Sequence, residues 1–482
     1  MLEAKSLDFS YDGLRPVLTS LDFALHPGEI VIVSGSTGSG KSTLAKCLSG
    51  FIPHLIQGVQ AGSIAIGGDQ YEDMKMSEIA RRVALVQQDS ENQICTLRVA
   101  DEIAFGPENY MMEPEEILHE IPLYLKEVGA EHLATRTTYA LSGGEKQRIA
   151  IASILACKPE YIIFDEPTSS LDPKGAILLR EVIHELKQRN IGILIIEHNL
   201  DTLISLADRI LTLTDGNLGP FQDNYTPPKL FTHDIPSYTQ NSLLVAENLG
   251  FAYGQRRALD DVSVSIGPSE IVAIMGDNGS GKSTLLGLMA GLLSPHKGRI
   301  TISGVPIEKM KRKEMGRKVA VVFQNPSHQI FERTVAKDQA LAIDLLELGT
   351  EFEHKSDTAL AEAGLSDDKE KNPFSLSHGQ KRRLNVSATC FFNPDLYFLD
   401  EPFIGQDVEG RDFIIKRMQE IAKRGGAAIL VTHNPRIAVN TCSRIIFMEK
   451  GSILLDGPPI TVLDWLGKNG YHEYAISGGA TG

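Results

Sequence analysis

Val31-Ile32-Val33-Ser34-Gly35-Ser36-Thr37-Gly38-Ser39-Gly40-Lys41-Ser42-Thr43 decides the fold: a short β-branched run breaks into glycines and then into a helical pattern. The spacing G-x-x-x-x-G-K-S directly behind a strand is the context in which this motif holds phosphate. Its glycines let successive backbone N–H groups turn inward around phosphate oxygens, and the following helix adds the positive end of its dipole. Lys41 then reaches the terminal phosphates and Ser42 ligates Mg2+. The same pattern recurs where Ile271–Met275 runs into Gly276, Asp277, Asn278, Gly279, Ser280, Gly281, Lys282, Ser283 and Thr284. The chain carries two phosphate cradles.

Working outward, the duplication extends well past these loops. Phe9-Ser10-Tyr11 recurs as Phe251-Ala252-Tyr253, and FDEP from Phe164 as LDEP from Leu399. The copies lie 241 residues apart at the lysines and 235 apart at the acidic motifs, so the first half holds a short insertion, placed in FIPHLIQGVQAG from Phe51. Such self-similarity marks two homologous domains, predicted as residues 1–215 and 242–466. The polar, proline-bearing stretch at 216–241 reads as a linker and 467–482 as a flexible tail. Within each half, short β-branched runs alternate with longer helical patterns. This predicts α/β domains with a mostly parallel sheet core and a helical lobe at roughly 90–150 and 326–390.

Composition narrows the class. The chain has 482 residues, 47 Lys+Arg against 62 Asp+Glu, and a net charge of −15. An acidic balance argues against sequence-independent nucleic-acid binding, which needs many cations at phosphates. Five scattered cysteines without a C-x-x-C pair predict neither a disulfide framework nor a zinc site. No apolar run of about 18 residues and no signal-like N-terminus occurs, so no direct membrane span is expected. The basic stretch from Met310 reads as a solvated face, and the single tryptophan, Trp465, as part of a C-terminal helix.

Further residues suit phosphoryl chemistry. Asp165 and Asp400 end apolar strands, where a carboxylate beside the glycine loop can hold a metal's water shell. Glu166 and Glu401 follow immediately and suit polarisation of an attacking water. His198 and His433 each end another apolar strand, within reach of a terminal phosphate, and recur at the same 235 offset.

Together these residues resemble the ATP-binding-cassette ATPases, and the resemblance covers both halves nearly end to end. Leu141-Ser142-Gly143-Gly144-Glu145 looks like that family's signature, with Leu376-Ser377-His378-Gly379-Gln380 as its counterpart. The resemblance implies a P-loop ATPase fold, ATP and Mg2+ as ligands, and Tyr11 and Tyr253 stacked on adenine. It implies that Gln88 and Gln324 sense metal and partner, and that Asp172 and Asp407 lie in loops at a dimer seam. It further implies an intramolecular pseudo-dimer, each ATP lying between one half's glycine loop and the other half's signature. Lys41 would then face Ser377 and Gly379, and Lys282 would face Ser142 and Gly144. His378 replaces a signature glycine and Ile404 stands where the first half has Ser169, so the Lys41 site is expected to hydrolyse more slowly.

The segments VALVQQDSENQICTLRVADEIAFGPEN from Val83 and VAVVFQNPSHQIFERTVAKD from Val319 add Gln93, Gln329 and the phrase Ala104–Asn109. These resemble the energy-coupling-factor and cobalt-type importers of vitamins and metal ions. That resemblance implies a transmembrane coupling protein and a membrane-embedded substrate-binding protein as partners, at the cytoplasmic face of the membrane. Two other classes stay open: tandem cassettes of sugar importers, whose second glycine loop is usually degenerate, and soluble twin-cassette translation factors, whose linker is long and charged.

Overall fold

The computed structural model describes residues 1–221 and 242–475 apart from 37, 88–92, 169–170, 198–199 and 201. The chain divides into two units, Met1–Tyr225 and Thr226–Gly482. The expected α/β class holds in both.

The strands of the first unit are β1 Leu2–Ser10, β2 Leu18–Leu25, β3 Ile30–Ser34, β4 Val59–Ile66, β5 Asp69–Gln70, β6 Val83–Val86, β7 Tyr161–Asp165, β8 Gly192–Ile196, β9 Arg209–Thr214 and β10 Asn217–Pro220. Its helices are α1 Lys41–Leu48, α2 Phe51–His54, α3 Met76–Arg82, α4 Val99–Asn109, α5 Pro114–Glu127, α6 Gly143–Ala156 and α7 Pro173–Gln188. β2-β1-β4-β5 form an antiparallel sheet, and β10-β9-β3-β8-β7-β6 form a second sheet that is parallel except at β10.

Alternation along β3 explains the order of the layers. Ile30 and Ile32 join a core under α4 to α7, while Val31 and Val33 join a core shared with β1, β2, β4 and α1. A strand buried on both faces cannot alternate with polar residues, hence the unbroken apolar run in the sequence.

The second unit repeats this plan. Its strands are β11 Leu244–Tyr253, β12 Arg256–Ile266, β13 Ile271–Met275, β14 Lys297–Ile302, β15 Val305–Pro306, β16 Val319–Val322, β17 Leu396–Asp400, β18 Ala427–Val431, β19 Arg444–Glu449 and β20 Ser452–Gly457. Its helices are α8 Lys282–Met289, α9 Arg312–Lys318, α10 Val335–Leu345, α11 Glu351–Glu362, α12 His378–Cys390, α13 Val408–Lys423, α14 Pro435–Thr441 and α15 Pro459–Lys468. The strand orders β12-β11-β14-β15 and β20-β19-β13-β18-β17-β16 match those of the first unit.

Sheet register locates the insertion. Leu2 pairs with Ile66 and Leu244 with Ile302, so the offset of 241 at the lysines has fallen to 236 at these strands. Five residues therefore enter between α1 and the end of β4.

Two expected boundaries move. Residues 217–220 do not belong to a linker, because Asn217–Pro220 pairs antiparallel with Leu211–Thr214. The remaining expected linker, 222–241, lies outside the described residues. Nor does a loose tail begin at 467. That position falls inside α15, and a short turn at His472–Tyr474 follows, with Tyr474 wholly buried. Tyr471 and Tyr474 set their rings edge-on against Phe447, at 5.4 and 4.9 Å. Two aromatic rings bury enough area to fix a segment that shows no helical period.

Candidate active sites

Each glycine loop joins the end of a central strand to a buried helix. Gly35, Gly38 and Gly40 have φ of 152°, 84° and 104°, and Gly276, Gly279 and Gly281 have 137°, 80° and 102°. The tightest positions are Gly35 and Gly276, where an added Cβ would stand 2.3 Å from the Leu213 carbonyl oxygen and 2.2 Å from that of Met448. Only glycine fits there.

Lys41 Nζ donates to the carbonyls of Gly35 and Ser36 at 2.8 and 2.7 Å, and Lys282 Nζ to those of Gly276 and Asp277 at 2.9 and 2.8 Å. The ammonium groups are thus held at the mouths of their loops. Ser39 Oγ and Ser280 Oγ are buried without a hydrogen-bond partner among the described residues. Such hydroxyls, in loops of inward-turned amides, fit a phosphate. Asn278 and Gly279 are exposed at the loop tip, and Thr37 lies outside the described residues.

Of the expected metal ligands, Ser42 and Asp165 are brought together: Ser42 Oγ donates to Asp165 Oδ1 at 3.2 Å, while in the second half Asp400 Oδ1 is buried without a hydrogen-bond partner among the described residues. A hydroxyl against a carboxylate is a hard-oxygen set suited to Mg2+. Burial, with Glu166 adjacent, pushes the Asp165 carboxyl up to about 6, against the pull of Ser42 and two lysines. Asp400 is raised by burial too. A carboxylate so reluctant to ionise alone is poised to accept a cation.

Glu166 and Glu401 stand with φ of 50° and 46°, a left-handed backbone that costs a non-glycine residue energy. Their N–H groups bond across to Ile196 and Val431 at the ends of the neighbouring strands. This pins each glutamate one residue beyond the aspartate that ends its strand. His433 Nε2 lies 3.1 Å from Glu401 Oε1. Burial and then Lys282 lower the His433 imidazole to about 3, so it is neutral at pH 7. Burial and then Asp400 raise the Glu401 carboxyl above the usual carboxylate range. His198 and Gln88 lie outside the described residues.

Tyr11 and Tyr253 are about half exposed, edge-on to Phe9 and Phe251. The Tyr11 hydroxyl is 3.1 Å from Thr43 Oγ1, which places its ring beside the first loop's helix; Thr43 and Thr284 are buried. Ser142 and Ser377 are exposed N-caps of α6 and α12, each in a reciprocal capping box with Glu145 or Gln380. The signature therefore doubles as helix-start chemistry and presents a positive helix end to solvent. Gly144 and Gly379 are buried at the second position of each helix. His378 opens α12 as Gly143 opens α6, and neither needs a positive φ, so the substitution leaves the helix intact. Asp172 and Asp407 are N-caps, accepting from Gly175 and Gly410 at 2.8 Å.

The glutamine loops are braced from within. Gln93 accepts from Gln87 N and donates to Leu85 O, and Gln329 does the same with Phe323 N and Val321 O. Glu102 and Asp338 receive the next backbone N–H groups at 2.8–3.0 Å. Gln324 itself is exposed. Sequence reasoning missed Arg382, wholly buried on α12, which donates to the carbonyls of Phe323 and Gln324. The signal was present: the first half has Gln147 there, donating instead to Pro167 O.

Two glycine loops, two strand-end aspartates and two strained glutamates on twin, mostly parallel sheets define a P-loop ATPase with two fused cassettes. The family model described as ABC transporter matches residues 18–169 and 259–404. The chain is 33% identical over 95% of its length to the ATP-binding protein YkoD of Bacillus subtilis (strain 168), to which HMP/thiamine import is provisionally ascribed, and covers 92% of that protein. It is 32% identical over 96% of its length to a protein of Methanosarcina acetivorans provisionally named an ABC transporter ATP-binding protein, of which it covers 86%. The chain belongs to the ABC transporter family, and ATP hydrolysis is its activity. At 22% identity and a TM-score of 0.69, a chain in the structure of ribosome-bound archaeal Pelota and ABCE1 shares the tandem fold over 93% of this chain and 78% of its own. Among the described residues no helix is long and apolar enough to cross a membrane.

Proposed function

We propose that the chain is the ATP-hydrolysing subunit of an energy-coupling-factor type importer for a vitamin or metal ion. It works at the cytoplasmic face of the membrane with a transmembrane coupling protein and a membrane-embedded substrate-binding protein, its two cassettes acting as an internal pseudo-dimer. The observation carrying this reading is the near full-length similarity to the protein to which HMP/thiamine import is ascribed. The braced glutamine loops agree with it, since apolar Leu97 and Phe331 stand exposed just beyond them, where a partner helix has something to bury.

In this reading Lys41 and Lys282 leave their loop carbonyls for the ATP phosphates, while the loop amides and the N-termini of α1 and α8 cradle the remaining charge. Ser42 with Asp165, and Ser283 with Asp400, hold the Mg2+, aided by Gln88 and Gln324; bound there, it neutralises phosphate charge. Glu166 and Glu401 orient the attacking water, and His198 and His433 fix the far side of the terminal phosphate. Positioning and charge neutralisation supply most of the acceleration such chemistry needs.

Affinity purification of tagged chain from detergent-solubilised membranes, with mass spectrometry of what accompanies it, tests the proposal. A small polytopic coupling protein together with a second membrane protein is the expected result. Ribosomal proteins without any membrane partner would overturn it.

A further inference from the structure

Among the described residues, the second glycine loop is tied to the C-terminal turn. Tyr474, wholly buried, donates from its phenol to Asp277 Oδ1 at 3.0 Å. Its ring rests on Phe447, which lies opposite Met275, the last residue before the loop. Asp277 also offers its backbone oxygen to Lys282 Nζ at 2.8 Å. One short path of contacts thus runs from the C-terminal turn to the phosphate-binding lysine. In the first half Ser36 stands where the second has Asp277, and Thr212 where it has Phe447. The acid in the loop and the aromatic seat that restrains it occur together, in one half.

A carboxylate on a loop that gathers phosphates repels its own ligand, more strongly the more anionic that ligand is. A hydrogen bond from a buried phenol holds such a carboxylate in one direction, here against the C-terminal turn. We propose that Tyr474 is a positioning residue for the second ATP site, anchoring Asp277 so that the loop and Lys282 stay open to the phosphates. This rests on the reading of the Lys282 loop as an ATP site.

The test uses the full chain carrying Lys41→Ala, so that binding reports the second loop, titrated with Mg2+ and ATP or ADP by calorimetry. Tyr474→Phe keeps the ring on Phe447 and removes only the donor. A hydrogen bond to a charged group is worth enough for about a tenfold rise in Kd for ATP. A smaller rise is expected for ADP, and adding Asp277→Ser, the first half's residue, restores ATP affinity to within about twofold. A purely structural tyrosine would lower the melting temperature and leave Kd unmoved, or would resist rescue by Asp277→Ser; either outcome overturns the proposal. If the Lys41→Ala parent binds no ATP, the reading of the Lys282 loop fails first and this proposal with it.

Discussion

Replacing Asp165 by Asn should make the nucleotide-free, Mg2+-free chain more stable while destroying the first site. The Asp165 carboxyl is buried and sits at about 6 in the folded chain against an ordinary 3.8. About two units at 1.36 kcal/mol each put the cost of its charge near 3 kcal/mol above pH 6. The sign follows from proton binding: between about 4 and 6 the folded state keeps the proton that the unfolded state has lost, so stability falls as pH rises through that window. Asn cannot ionise, yet its side-chain oxygen can still accept from Ser42. The variant therefore gains about 3 kcal/mol at pH 8 and about half of that at pH 5. For a unit of this size that displaces the melting midpoint by roughly 5–10 °C at pH 8. Scanning calorimetry in EDTA at both pH values reads it, and Asp400→Asn identifies the second unit's transition by moving that one instead. An Asp165→Asn chain that melts at or below wild type at pH 8, or whose gain is the same at pH 5, would refute the reasoning.

Glu401→Gln should keep ATP binding at the second site and cut its turnover by at least about a hundredfold, measured as phosphate release against nucleotide affinity. If the departures at His378 and Ile404 slow the Lys41 site as the family resemblance implies, Lys282→Ala will lower steady-state turnover more than Lys41→Ala; the reverse order in a phosphate-release assay contradicts it. Gly62 has φ of 82° and an added Cβ would meet the Ser6 carbonyl oxygen at 2.3 Å, whereas Gly68, with φ of 97°, has nothing within 4 Å. Gly62→Ala should therefore cost about 3 kcal/mol or more in denaturant titration and Gly68→Ala about 1 kcal/mol, so equal losses would show that the β1–β4 approach is not tight.

The parts of the site legible in the sequence were those whose chemistry is local. A glycine loop needs its glycines at fixed spacing behind a strand, and the Asp–Glu pairs need only a strand end, so both are read from a few neighbouring letters. Their strain is also local: Glu166 and Glu401 adopt the same left-handed backbone because both bond across to the adjacent strand. The unread parts depend on partners far along the chain. Arg382 reaches the glutamine loop 58 residues away, and Tyr474 reaches Asp277 across 197. Gln93 and Gln329 stood out in the sequence as part of the family resemblance, whereas the bridging of the loop's own backbone by their amides did not. The ordered start of the expected tail went unread for a similar reason, because Tyr471 and the buried Tyr474 packing on Phe447 leave no periodic trace; 476–482 lies outside the described residues. The capping of α7 and α13 by Asp172 and Asp407 was legible, since each acid precedes a helical run and Pro173 marks its start in the first half, yet the family resemblance drew attention to another role.

The central claim is that one chain carries two built ATP sites. Equilibrium binding of ATP with Mg2+ to the full chain carrying Glu166→Gln and Glu401→Gln, so that bound nucleotide is not consumed, tests it most directly. Two ATP per chain, falling to one with either Lys41→Ala or Lys282→Ala, is the predicted result. A parent that binds fewer than two, or lysine variants that both retain two, would contradict it.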